Sequence, residues 1–270
     1  MKPDTSSAVV SLLPAQRRQR IVEFLRRHGA VTLAQLEQAL DVSISTLRRD
    51  LDALAADGEV DRTHGGALLR HQGYSAFEPD ARAASELSPR EKHAIGVAAA
   101  AALQPRQSVI FDSGSTVLEA ARAAVQRGIP LTAVTNDLVI AQLLGASPLI
   151  QVHVLGGLLR ASSTTLMGEG MIESVRSIHA DVLLCGAHAV TDGVVTETSP
   201  DVAAVKRALL KAASARRLLV DGSKFRPRTF MRVAAVNEFD EVVTDDGVPA
   251  EEIERLRALG LTLTIAPRGA

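Results

Sequence analysis

The chain has 270 residues, 46% of them hydrophobic and 23% charged, and a formal net charge of −1, which describes a soluble globular protein of two domains with no sign of a disordered tail. Aromatic residues make up only 3% and tryptophan is absent, so single-strand binding by base stacking, which needs exposed rings, is excluded. The one cysteine, Cys185, sits in an apolar run and reads as a small core residue; no His/Cys/Asp/Glu set has metal-ligand spacing, and neither a metal nor another cofactor is expected. The longest early apolar stretch, Ala8 to Leu13, is too short to cross a membrane and no small-residue cleavage site follows a basic start, so a cytoplasmic location is expected.

Between Arg17 and Ala67, three short amphipathic patterns precede a glycine-closed hairpin. The first places Ile21, Phe24, Leu25 and His28 at helical spacing, with Gly29 as its stop. The second begins at Thr32, whose hydroxyl caps the helix while Gln35 reaches back, and its apolar face is Leu33, Leu36, Ala39 and Leu40. After a break at Asp41 and Val42, Ser43 is the next N-cap, and Ile44, Leu47, Leu51 and Leu54 share one narrow arc. At about 100° per residue, that arc leaves Ser45, Arg48, Arg49 and Asp52 facing away from the core. Gly58 ends the third helix, Val60 starts a strand, and Gly65-Gly66 permits a tight return that puts Arg62, Thr63 and His64 near the tip of a wing.

This is the order of a winged helix-turn-helix, and the exposed residue types suit a major groove. Arginine presents two donors to guanine O6 and N7 or clamps a phosphate, and small hydroxyls at a helix N-terminus allow close approach to the DNA backbone. The candidate DNA contacts are Ser43, Ser45, Thr46, Arg48, Arg49, Arg62 and His64. In a single isolated helix such a face is ordinary solvated surface; three helices at this spacing followed by a wing favour the DNA reading. From Arg17 to Arg70 nine arginines face eight carboxylates, a net charge of only about +1. The fold must therefore segregate the charge, with arginines toward the groove and carboxylates turned away.

The run SISTLRRDLDALAADGEVDRTHGGA resembles the N-terminal DNA-binding domain of the DeoR family of bacterial transcriptional regulators. That family carries a T-[aliphatic]-R-R-D-L core in its recognition helix and an R-x-H-G-G-A wing, matched here by Thr46 to Leu51 and Arg62 to Ala67.

From Leu68 to about Lys92 periodicity lapses and polar residues, glycine and proline appear, which places a linker at residues 71–92 between a DNA-binding domain at 14–70 and a larger domain at 93–270. Beyond it, short apolar strands alternate with helices. The strands are placed at Val109 to Phe111, Leu131 to Val134, Val152 to Leu155, Asp181 to Cys185, Leu218 to Val220, Glu241 to Thr244 and Leu261 to Ile265. The helices are placed at Thr116 to Ala124, Leu138 to Leu144, Gly168 to Ser177, Pro200 to Ser214 and Ala250 to Leu259. Such alternation predicts an α/β domain whose mainly parallel sheet is covered on both faces.

Ligands gather at the carboxyl ends of the strands in such sheets. After Phe111 comes Asp112-Ser113-Gly114-Ser115-Thr116 and then a helix, an arrangement in which backbone N–H groups, hydroxyls and the helix dipole converge on an anion. It has neither the Gly-Lys-Ser/Thr of a nucleotide P-loop nor GxGxxG, which disfavours a nucleoside triphosphate or dinucleotide. Other strand ends supply Thr135 and Asn136, Gly156 and Gly157, Gly186, and Asp221 to Lys224, with Lys206 on a following helix. Together they suit a small polyhydroxylated anion: carboxylate and amide groups pair with hydroxyls, lysines offer charge to phosphate, and glycines let the main chain come close. Each loop alone is also the composition of a plain turn, and an exposed position is the other reading of Lys206 and of Lys224; repetition along one sheet edge favours a pocket.

DSGST, VTND, LGG, the stretch from Gly193 to Lys206 and VDGSKF are similar to the C-terminal effector domain of DeoR-type regulators, which is related to ribose-5-phosphate isomerase and is thought to bind sugar phosphates. The resemblance implies that Ser113, Gly114, Ser115 and Thr116 hold the phosphate and that Asp112, Asn136, Lys206 and Lys224 line the pocket, with Gly156 and Gly157 beside them. It further implies a repressor of carbohydrate catabolism genes, a double-stranded operator as partner, a phosphorylated sugar as effector, and a homodimer or higher homo-oligomer, since one winged helix reads few base pairs. The chain departs from the family where Thr-Asn-Ser is often found, having Asp137 in third place, and where a glutamate often stands four residues before the lysine, having Val202. Both departures bear on the identity of the effector.

The rival expectation is a working sugar-phosphate isomerase with a DNA-binding appendage. Aldose–ketose isomerisation needs a general base beside the carbonyl and polar groups for the enediolate. The isomerase family carries Asp-Gly-Ala-Asp and a glutamate preceding a lysine, where this chain has Cys185-Gly186-Ala187-His188 and Val205 before Lys206. Asp192, Glu197 and Asp201 are the nearby carboxylates left for the task. No enzyme is expected; a third reading is a carbohydrate-binding module with no DNA role.

Overall fold

The computed structural model describes residues 13–28, 30–63, 65–69, 86–161 and 163–267. Gly29, His64, the start of the Ala8 to Leu13 stretch and residues 70–85 of the connection lie outside the described residues. The chain divides into two compact units, Met1–His71 and Gln72–Ala270.

The smaller unit runs α1 (Pro14–His28), β1 (Ala30–Thr32), α2 (Leu33–Leu40), α3 (Ile44–Ala56), β2 (Val60–Thr63) and β3 (Gly66–Leu69). Its core joins Ile21, Val22 and Leu25 of α1 to Leu36 of α2, Leu47, Leu51 and Leu54 of α3, and Val31, Val60 and Ala67 of the strands. Thr32 and Gln35 form the reciprocal capping box that opens α2. Ser43 occupies the N-cap position of α3, but its hydroxyl makes no cap bond; it lies 3.2 Å from the Ser45 hydroxyl and 3.0 Å from that of Thr46. The hairpin is joined by a strand that periodicity did not reveal: β1 pairs antiparallel with β3, giving the order β1-β3-β2. Three residues are too few for an alternation signal. Gly66 owes its place to this strand, because a Cβ there would lie 1.8 Å from the Val31 carbonyl oxygen.

The larger unit is built on a seven-stranded sheet with the order β15-β14-β12-β9-β4-β5-β6, parallel throughout. The strands are β4 (Ser108–Phe111), β5 (Leu131–Thr135), β6 (Ile150–Val154), β9 (Ala180–Gly186), β12 (Ala213–Leu219), β14 (Glu241–Asp245) and β15 (Thr262–Ala266), each overlapping one of the strands expected from sequence. One face packs on α4 (Pro89–Ala101), α5 (Ser115–Gln126) and α6 (Leu138–Gly145), through residues such as Ile95, Val117, Ala120, Ile140 and Leu144. The other packs on α7 (Glu169–Arg176), α8 (Pro200–Lys211) and α9 (Ala250–Ala258), through Met171, Val175, Val205, Leu209 and Leu256. Both faces are thus dry, which accounts for strands that read as short continuous apolar runs.

Three local features differ from the sequence reading. Helix α4 begins at Pro89, inside the stretch read as connection, and Gly96 in its middle lets α5 come close: a Cβ there would lie 2.5 Å from the Glu119 backbone. Strand β12 starts at Ala213, where the helix had been expected to run on to Ser214; its polar first half is held by Arg216 paired with Asp240 and Arg217 with Glu241. Finally, β10 (Ala189–Thr191), β11 (Val194–Glu197) and β13 (Met231–Ala235) form a separate antiparallel sheet, and β7 (Leu158–Leu159) pairs with β8 (Leu166–Met167) in a short hairpin.

Candidate functional site

In the smaller unit, α3 carries its arginines outward. Ser43, Ser45, Arg48, Arg49 and Asp52 are exposed and Thr46 is half-buried, while Leu47, Leu51 and Leu54 are buried beneath them. The two carboxylates of this helix behave differently. Asp50 turns inward and forms a two-pronged ion pair with Arg17, tying α3 to α1. Asp52 stays on the exposed face, one turn beyond Arg48, and its carboxylate lies 3.1 Å from Arg62 Nε of β2. The expected segregation of charge therefore holds for Asp50 and not for Asp52, whose position puts it on the arginine stripe.

In the larger unit the polar side chains gather at the carboxyl ends of the central strands. Asp112 directly follows β4 and is buried; its Oδ2 accepts from Lys206 Nζ, from the Gly186 amide at 3.2 Å and from the Cys185 thiol at 3.5 Å. Lys206, reaching in from α8 and only 3% exposed, also donates to the Gly186 carbonyl at 2.9 Å and pairs with Glu197 at 3.5 Å. Three acceptors thus surround an ammonium that has three protons. Burial opposes its charge, but Asp112 foremost outweighs that and raises the pKa of Lys206. Burial, reinforced by the Asp112 charge, pushes the Cys185 thiol up, so it stays protonated and inert. Glu197 Oε1 also accepts from the His188 amide at 3.2 Å.

Around His188 stand the cations. Its imidazole is held well below its ordinary pKa, first by burial and then by Arg226, Lys224, Arg160 and Lys206. Arg226 donates to the His188 carbonyl at 3.2 and 2.9 Å. Lys224, in the 3-10 turn after β12, and Lys92, in the first turn of α4, flank Asp221 and together hold its carboxylate below the usual range although burial opposes this. Lys92 is itself pushed down to about 8, mainly by burial and next by Lys224; its Nζ donates to the Leu87 carbonyl at 2.6 Å.

Next to Asp112, Gly114 is the N-cap of α5 with φ +113°, a conformation that favours glycine, and offers no side chain to the first-turn amides. Ser113 and Ser115 are half-buried and Thr116 is buried. Asn136, one residue beyond β5, donates from Nδ2 to the Leu166 carbonyl at 3.0 Å, while its backbone carbonyl accepts from the Leu166 amide at 2.7 Å. Gly157 abuts the same hairpin: a Cβ there would lie 2.5 Å from the Met167 carbonyl oxygen, whereas Gly156 faces open space. Gly157 thus lets the chain close on Met167 of the β7–β8 hairpin, whose Leu166 is held by Asn136. Asp137 caps α6 by accepting from the Val139 and Ile140 amides at 2.9 and 3.1 Å.

Residues 17–73 match the DeoR-like helix-turn-helix domain and residues 88–246 match the DeoR C terminal sensor domain. The chain belongs to the DeoR family. Among curated DeoR-type relatives, the HTH-type transcriptional regulator YgbI of Escherichia coli is 32% identical over 94% of this chain and 99% of its own length. The HTH-type transcriptional repressor GlcR of Bacillus subtilis is 32% identical over 85% of this chain and 88% of its own. The lactose phosphotransferase system repressor of Lactococcus lactis is 27% identical over 88% and 94%. Among solved structures, ribose 5 phosphate isomerase A from Neisseria gonorrhoeae aligns over 51% of this chain and 53% of its own at 16% identity, with a TM-score of 0.38.

In this DeoR-family regulator the sequence reading missed Lys92, Arg226 and Arg160 as members of the polar cluster and named Glu197 only as a carboxylate that could serve as a base. One signal for Lys92 was present: the chain holds only five lysines, Lys2, Lys92, Lys206, Lys211 and Lys224, so any lysine placed near the strand ends stands out. The cluster draws its members from the ends of β4, β5, β9 and β12, from β11, from the β7–β8 hairpin and from α4 and α8, so no local pattern links them. Among the described residues no helix is long and apolar enough to cross a membrane, and no group of three or more His, Cys, Asp or Glu is placed to hold a metal.

Proposed function

We propose that this DeoR-family protein is a repressor of carbohydrate-use genes that grips operator DNA through α3 and the wing and is controlled by a phosphorylated sugar bound at the carboxyl edge of the large sheet. Residues 14–70 are the reader, and the larger unit from Pro89 of α4 onward is the sensor and oligomerisation domain. The similarity to GlcR, a transcriptional repressor, and to the lactose phosphotransferase system repressor supports sugar-linked repression.

The observation that carries the effector reading is the concentration of cations. Lys224, Arg226 and Arg160 gather around the neutral His188, and Lys224 and Lys92 flank the Asp221 carboxylate. Like charges are held together at a cost that a dianionic phosphate would remove, and the Ser113 to Thr116 loop adds amides and hydroxyls. Lys206, with its ammonium already enclosed by acceptors, positions Asp112 and does not itself hold the phosphate.

The same geometry favours a sensor over an isomerase. Of the carboxylates available as a base, Asp192 is exposed and paired with Arg228 and Arg255, Asp201 is exposed, and Glu197 is engaged by Lys206 and the His188 amide. Effector binding alters DNA affinity only through different affinities for two states of the protein, and a homodimer presents the two readers that paired half-sites require. The test is Ser115→Ala with Thr116→Ala: operator binding is retained while phosphorylated sugars no longer shift it. A normal effector response in that variant, or turnover of ribose 5-phosphate by the unsubstituted protein, refutes the reading.

A further inference from the structure

Asp112 and Asn136 are register neighbours. Phe111 of β4 pairs with Thr135 of β5, so the two polar residues stand side by side one step beyond the ends of adjacent parallel strands. The alternation of the strands puts them on the same face, since Ile110 and Val134, two positions earlier, belong to one core cluster and Phe111 and Ala133 to the other.

Each side chain is fixed by half of its polar capacity. Asp112 is anchored through Oδ2 by Lys206, Gly186 and Cys185, and Asn136 through Nδ2 by the Leu166 carbonyl. The other half, Asp112 Oδ1 and Asn136 Oδ1, is buried with no hydrogen-bond partner among the described residues. Neighbouring strands are about 5 Å apart, so the two side chains spring from adjacent backbone positions on one face, within reach of the hydroxyls of a single sugar chain. Unsatisfied buried acceptors are rare in folded proteins because each costs free energy until a donor arrives. The anchoring bonds prevent either group from turning to find one locally.

Building on the effector reading above, we infer that Asp112 Oδ1 and Asn136 Oδ1 form an acceptor pair that reads hydroxyl donors on the effector, selecting a polyhydroxy chain and rejecting a deoxy or carboxylate-bearing analogue at that position. A deoxy analogue leaves an acceptor unpaired. A sugar acid brings a second acceptor, and a negative charge, against Asp112 and Glu197.

The test is calorimetric titration of the full-length protein with ribose 5-phosphate, fructose 6-phosphate and glucose 6-phosphate, with the 2-deoxy and 3-deoxy congeners of whichever binds tightest, and with 6-phosphogluconate. The expected result is a loss of roughly tenfold to a hundredfold in affinity for at least one deoxy congener, weaker binding of the acid, and disappearance of one deoxy penalty in Asn136→Leu. Asp112→Asn, whose one oxygen is claimed by the Lys206, Gly186 and Cys185 donors, turns its NH2 toward the effector and removes the remaining penalty. If the parents bind but both deoxy congeners bind within about twofold of them, or the acid binds tighter, the acceptor pair is overturned and the phosphate reading survives. A deoxy penalty that Asn136→Leu leaves unchanged for both congeners overturns it equally. Should only unphosphorylated sugars bind, with the deoxy penalty present, the acceptor pair stands and the phosphate reading falls; no binding by any probe overturns both. The congener comparison on the unsubstituted protein decides the matter even where a variant does not fold.

Discussion

Lys206 and Asp112, 94 residues apart in sequence, form a buried ion pair beneath the carboxyl edge of the sheet. Removing one partner strands the other. Lys206→Met is expected to cost about 3–5 kcal/mol of stability, read as a lower urea midpoint with an unchanged m-value. Adding Asp112→Leu should recover part of that loss, because the uncompensated carboxylate goes with it. A purely additive double variant would show that the two residues are not energetically coupled.

The depressed lysine beside Asp221 makes a pH-dependent prediction. In the fold Lys92 titrates at about 8 against an ordinary value of 10.5, so the unfolded chain binds more protons between those values and this residue's contribution to stability rises with pH across that window. Lys92→Met should remove that rise and fold at least as well at neutral pH, since a buried charge is replaced by an apolar chain of similar length. A phosphate held beside Lys92 favours its charged form, so sugar-phosphate affinity should fall above about pH 8, by up to roughly tenfold per unit. Titration in buffers of different ionisation enthalpy will show proton uptake on binding; its absence at pH 8 to 9 removes Lys92 from the phosphate site.

On the DNA side, Arg48 and Arg49 are exposed on α3 above a buried apolar stripe. Arg48→Ala and Arg49→Ala should each weaken operator binding by about 1–3 kcal/mol where a base edge is read, or reduce the salt slope by about one where a phosphate is held. Electrophoretic mobility shifts at several salt concentrations separate the two. Unchanged affinity in both variants would dismiss α3 as the recognition helix.

Asp52 restrains the wing arginine. Its carboxylate pairs with Arg62 at 3.1 Å on an exposed face, where the pair adds little stability but subtracts one positive charge from the groove-facing surface. Asp52→Asn should leave the melting temperature within a degree or two and strengthen binding to non-operator DNA, with a steeper salt dependence. Weaker non-operator binding would mean that Asp52 orients Arg62 productively and does not mask it.

Much of the architecture was written locally. The T-L-R-R-D-L run, the capping box of Thr32 and Gln35, and the strand-ending loop Asp112 to Thr116 are patterns of a few consecutive residues, and each produced the element expected of it. The apolar stripes and runs that placed α3 and the strands of the large sheet are likewise set by the 3.6 and 2 residue periods of the backbone. Asp50 shows where that reasoning stops. It belongs to the same motif as Arg48 and Arg49, yet it turns inward because Arg17, on another helix, is there to receive it.

The sequence by itself determined the helices of the small unit, the seven strands of the large sheet, the outward arginines of α3, and the edge of the sheet at which small and polar residues collect. Only the tertiary structure decided that Lys92 joins Lys224 and Arg226, that Glu197 stands at Lys206, and that Asp112 and Asn136 each present an unpaired oxygen. Periodicity is a short-range property of the chain, whereas electrostatic cost and hydrogen-bond satisfaction depend on which distant segments the fold brings within a few ångströms.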